Sequence, residues 1–194
     1  MQVFEPRLVG VLVMSALISG SGCSGTAEKT PDPAAPEYTT TATVKELMLS
    51  LVDPSADVIW NSVGTIATEK EVVERAPKTG DQWTEVRQAA IRLVEASNLL
   101  QVPGRRVMHP HEKSEAPGVE LEGPDMEALI DKDRAAWNKR ALALHQAGHA
   151  ALKAIDARDP YALFDVGEHI ELACESCHSQ YWYPNQRLPE GYDE

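Results

Sequence analysis

From Asp159-Pro160 to Pro184 an apolar or sulfur-bearing residue returns every three or four positions, at Leu163, Val166, Ile170, Cys174 and Cys177. That period belongs to the α-helix, in which side chains three and four apart share a face. Asp is a good N-cap and Pro fits the first helical position, so the Asp159-Pro160 pair opens the helix, and it should stop before Pro184. Any fold for this chain must bury one long stripe that ends in two thiols.

Three further segments carry the same period. The first runs Val44 to Val63 with Val44, Leu47, Met48, Leu51, Ile59 and Val63 inward, and Asp53-Pro54 should kink or restart it. The second follows Asp81 as N-cap, repeats Trp83, Val86, Ala90, Leu93 and Leu100, and closes before Pro103-Gly104. The third starts near Pro124, carries Met126, Ile130, Trp137, Ala141, Leu144, Gly148, Ala151 and Ile155, and ends at Asp159-Pro160. Four amphipathic helices without convincing strands predict an all-α chain arranged as a four-helix bundle. The connection from Gln101 to Gly123 is long and reads as a surface excursion.

Cys174-Glu175-Ser176-Cys177-His178 has the C-x-x-C-H spacing of c-type haem attachment. At one helical step per residue, Cys177 lies about 60° from Cys174 in one sense and His178 about 40° in the other, so all three share an arc of about 100°. One helix face thus offers two sulfurs for thioether bonds and an imidazole for iron. The arc continues the apolar stripe, so the macrocycle would hang into the bundle interior. A disulfide between cysteines three apart is strained on a helix, and a thioredoxin-type pair belongs at a helix start after a strand. Zinc would need two more ligands, which His145 and His149 could supply in principle.

With these residues in view, the chain resembles the class II c-type cytochromes, the cytochrome c-prime group, over roughly Val44 to Tyr183. The resemblance rests on the attachment motif at Cys174 to His178, on four helices, and on the position of a Met in the first. It implies that Cys174 and Cys177 hold a single covalent haem c and that His178 is the proximal iron ligand. Met48 matches the residue that supplies the second axial ligand in low-spin members. The core-filling role common to Met is the other reading of Met48. Many members carry a basic residue soon after the His, where this chain has Ser179-Gln180-Tyr181-Trp182. Relatives often pair through their first two helices, so a homodimer is implied by resemblance alone.

Other candidates are weaker. His145 and His149 flank the third stripe, His109 and His111 lie in the long loop beside Arg105-Arg106, and His169 is too far from His178 along one helix to reach the same iron. Trp60, Trp83 and Trp137 read as core or haem-packing aromatics, and Tyr181, Trp182 and Tyr183 as cover for the haem edge.

The N-terminus has its own composition. Leu8 to Ile18 is an apolar run of about 11 residues, near 16 Å as a helix and so about half a bilayer core. It reads as a signal h-region, and the Ser19-Gly20-Ser21-Gly22-Cys23 stretch resembles a bacterial lipoprotein signal in which Cys23 is acylated. The expected organisation is a lipoprotein-type signal peptide over 1–22, a flexible tether over 23–43 and a haem domain over 44–194. The expected location is the periplasm, membrane-anchored by the lipid on Cys23; a tether of ~20 residues spans about 25 Å.

Charge narrows the partners. The chain has 18 Lys+Arg against 30 Asp+Glu and a formal net charge of -12, which argues against a nucleic-acid partner. From Pro160 onward Asp165, Glu168, Glu171, Glu175, Glu190, Asp193 and Glu194 face Arg187 alone. Such a field would attract redox partner proteins with basic surfaces. The expected function is single-electron transfer by a c-type haem protein of the bacterial cell envelope. The alternative is a five-coordinate haem module that binds nitric oxide or carbon monoxide. No acid-base pair is placed beside the motif, so an enzyme is not expected.

Overall fold

The computed structural model describes residues 38–186. The signal segment, Cys23 and most of the tether lie outside the described residues, as does the C-terminal run from 187. The chain is mostly helical, and none of the described helices is long and apolar enough to cross a membrane.

The first helical segment begins at Val44 behind Thr43, whose hydroxyl accepts from the Glu46 amide at 3.1 Å while the Glu46 carboxylate accepts from the Thr43 amide at 2.8 Å. This reciprocal cap satisfies two amides that the first turn would otherwise leave open. The helix α1 (Val44–Leu47) passes into a π turn (Met48–Val52) and restarts as α2 (Asp53–Ser62). Pro54 explains the widening: it has no N–H, and its ring would clash with the Ser50 carbonyl in regular α geometry. The wide turn instead lets the Asp53 amide donate to the Met48 carbonyl.

Beyond α2 comes a short antiparallel hairpin, β1 (Gly64–Ala67) and β2 (Val72–Arg75), with Gly64 opposite Arg75 and Ala67 opposite Val72. The sequence pattern predicts no strand here. Ile66, Val72 and Val73 are exposed, so the hairpin buries little and shows neither a core-facing alternation nor a strong turn signature.

Helix α3 (Gly80–Leu100) is capped by Thr79, which accepts from the Gln82 amide at 3.2 Å, and not by Asp81. The third periodic segment is two helices, α4 (Gly123–Lys132) and α5 (Arg134–Asp156), divided at Asp133, whose carboxylate accepts from the Ala136 amide at 2.9 Å. Helix α6 (Pro160–Tyr181) starts where expected: Asp159 Oδ1 accepts from the amides of Tyr161 and Ala162 at 3.1 and 3.0 Å.

Helix α5 packs between α3 and α6, and α2 packs on α3. Gly148 allows the α3–α5 approach, since a Cβ there would lie 2.7 Å from Val94 Cγ2. Two indoles tie the helices by their polar ends: Trp60 donates to the Gly167 carbonyl at 3.1 Å and Trp137 to the Leu100 carbonyl at 2.8 Å. Ile59, Leu93, Leu163 and Ile170 form the driest part of the core. The long connection is anchored: the amides of Val44 and Lys45 donate to the carbonyls of Arg106 and Val107 at 2.9 and 3.0 Å, which fastens it to the start of α1. Val107 and Met108 are buried and pin the connection to the core, while most of the rest of it runs exposed over the surface as expected.

Candidate functional site

The last two turns of α6 carry Cys177 and His178 to the wall of a cavity of about 160 Å³ that is partly open to solvent. Its apolar wall includes Val44, Val107, Met126, Ile130 and Trp137, and its polar rim includes Lys45, Asp53, Lys113, Glu115 and Glu120. Met48 reaches it from the π turn, and Cys177 and His178 reach it from α6. A smaller adjoining cavity shares Met48, Trp137, Cys177 and His178 and adds Cys174, Val52 and Arg140. The innermost positions of α6 are Leu163, Val166, Ile170, Ala173 and Tyr181, so the two cysteines stand half-buried beside the stripe's centre.

Both thiols are free. Burial pushes Cys174 up to about 12, with the Glu171 and Asp53 carboxylates adding to it, and burial pushes Cys177 up to about 11 against the opposing pull of Arg140. Both are therefore neutral thiols near neutral pH. The His178 side chain is 21% exposed, and its Nδ1 lies 3.6 Å from Glu175 Oε1, in ion-pair range but too long for a hydrogen bond. Glu175 is held in turn by the Tyr183 hydroxyl, which donates to its two oxygens at 2.8 and 2.7 Å. Trp182 stands edge-on to the imidazole with centroids 5.1 Å apart.

The aromatic residues after the motif divide. Tyr181 is buried, edge-on to Trp137 at 5.1 Å, with its hydroxyl unpaired among the described residues, and it lines the same cavity as Cys177 and His178. Trp182 and Tyr183 flank His178 from the rim.

The other histidines sit elsewhere. His145 Nδ1 lies 3.1 Å from Ser97 Oγ and ties α5 to α3, with His149 edge-on at 4.7 Å. His109 Nε2 lies 3.2 Å from Glu46 Oε1 and its ring stacks on His111. His169 lines a separate groove between α5 and α6. Among the described residues no three or more His, Cys, Asp or Glu side chains gather as a metal-holding group, so His145 and His149 do not complete a zinc set with the cysteines.

Three residues of the site escaped the sequence reading as site residues. Met108 comes from the long connection and Met126, read there only as a stripe position, from α4; both are buried and line the cavity of Met48. Arg140 was hidden on α5, three residues after Trp137 on the same side of the helix. Comparisons with family models, with curated proteins and with solved structures returned no match.

Proposed function

We propose that the chain is a c-type haem protein of the bacterial cell envelope that carries single electrons, built as a four-helix bundle of the class II cytochrome kind. The observation that carries this reading is the convergence of Cys177, His178 and Met48 on one apolar cavity, with Cys174 in the adjoining one. The donor set fits the group. Two neutral thiols on successive turns suit thioether bonds to the two haem vinyl groups, and an imidazole next to them suits the iron. The Glu175 carboxylate lies 3.6 Å from Nδ1 of His178, which would leave Nε2 as the nitrogen for the metal.

Haem supplies a one-electron ferric/ferrous couple when bound. The chain's own residues supply the rest. Trp137, Ile130 and Met126 keep water from the wall, and dry, packed walls limit what must reorganise when charge changes. The Met48 thioether, at the head of the π turn and lining the cavity, would be a second protein ligand for the iron and favour electron transfer over gas binding. Acidic residues along α6 would steer a basic redox partner. In this account Cys23 carries the lipid that anchors the domain at a membrane.

A second reading keeps the haem and leaves Met48 off the iron, so that the space beside it admits nitric oxide or carbon monoxide. What favours it is that Met108 and Met126 line the same cavity as Met48, so no single thioether is committed to the iron by the lining. Optical spectra of both oxidation states separate the two. A far-red thioether-to-iron charge-transfer band in the ferric protein supports electron transfer. A high-spin ferrous spectrum that shifts at once with carbon monoxide supports gas binding.

A further inference from the structure

The attachment end of α6 is acidic. Glu171, Glu175 and, from α2, Asp53 all act on Cys174 with the same sign. Arg140 acts with the opposite sign on Cys177. The Arg140 Nε on α5 donates to the Ser176 carbonyl at 2.8 Å, inside the C-x-x-C segment, and the guanidinium carbon stands 5.8 Å from the centroid of the Tyr181 ring. Arg140 also lines the cavity shared by Cys174, Cys177 and His178. It is half-buried, so solvent screens it less than a surface charge. A guanidinium stays ionised throughout the working pH range, so this charge is permanent.

We propose that Arg140 tunes the reduction potential of the attached haem, as a fixed positive charge locked at the attachment edge by its bond to Ser176 and its seat on Tyr181. This rests on the haem reading above. A positive charge close to the iron favours the state holding one more electron, so it raises the potential against the carboxylates around it. The residues directly after His178 supply no cation, and α5 delivers one to the same turn. Arg140 is a positioning residue in this role: it acts on the couple through its charge.

The test is a spectroelectrochemical titration of purified holoprotein and its Arg140→Gln, Arg140→Met and Arg140→Lys variants. Gln and Met remove the charge and keep the stem; Lys keeps the charge and loses the planar fork. At fixed applied potential the reduced-to-oxidised ratio should fall about tenfold in the Gln and Met variants, a midpoint lower by about 59 mV. Lys should restore most of it, with absorption bands unchanged throughout. Neutral variants with an unaltered midpoint, or a Lys variant as low as the Gln one, would overturn the proposal. So would loading of haem by the Lys variant but by neither neutral one, which would make Arg140 a clamp for the attachment turn. A colourless parent protein would instead remove the haem reading itself.

Discussion

Met48 and His178 face one cavity from two different helices, Met48 at the first position of a π turn and His178 one turn from the end of α6. The π turn exists because Pro54 cannot take part in regular helical bonding, and it leaves the Met48 carbonyl bonded to the Asp53 amide. Two other thioethers, Met108 and Met126, line the same space. If Met48 is the axial ligand, Met48→Ala should abolish the far-red band, open the ferrous protein to carbon monoxide and lower the midpoint potential. Met108→Ala and Met126→Ala should keep the band. Its survival in Met48→Ala, with loss in either of the others, would reassign the ligand.

Gly148 sets the approach of α5 to α3. In Gly148→Ala the new methyl would meet Val94 Cγ2 at 2.7 Å, and a β-branched side chain cannot swing aside cheaply. The clash should outweigh the better helix propensity of Ala and cost about 1–3 kcal/mol in urea unfolding. Combining it with Val94→Ala should cost less than the sum of the two single changes. Additive costs would show that the helices are not in contact there.

Thr79 and not Asp81 closes the start of α3. Thr79→Ala should therefore destabilise the folded state by about 1 kcal/mol, whereas Asp81→Ala should cost a few tenths through the helix dipole. Chemical denaturation of the two variants side by side checks this, and equal losses would contradict the cap assignment.

The thiols offer a test by pH. With Cys174 at about 12 and Cys177 at about 11, the folded haem-free chain holds on the order of one thiolate in a thousand or fewer at pH 8. In a Cys23→Ser chain, which leaves only these two cysteines, alkylation by iodoacetamide should be slow at pH 8 and accelerate about tenfold per pH unit up to about pH 10. In urea it should rise to the rate of an ordinary thiol. Fast labelling of the native chain at pH 8 would mean the sulfurs are not desolvated as described.

Much of this arrangement was legible because the driving features are local. Asp159-Pro160 announces α6 by cap chemistry alone, and the spacing of Cys174, Cys177 and His178 places them on one arc of any helix they occupy. The break at Asp133 was not legible, since the apolar period runs through it from Ile130 to Trp137 and only the cap bond to Ala136 marks it. The hairpin escaped because Ile66, Val72 and Val73 face outward and leave no buried alternation. Met108 and Arg140 carry no periodic signal as site residues. Met108 reaches the cavity only because the long connection is fastened to α1, and Arg140 matters only because α5 lies beside the last turns of α6.

The central claim is tested most directly by the intact mass of the chain made in a host competent in cytochrome c maturation, measured after denaturation. The account predicts a mass raised by one haem that denaturant does not remove and that Cys174→Ala combined with Cys177→Ala abolishes. A chain at its bare polypeptide mass, lipid aside, would contradict it.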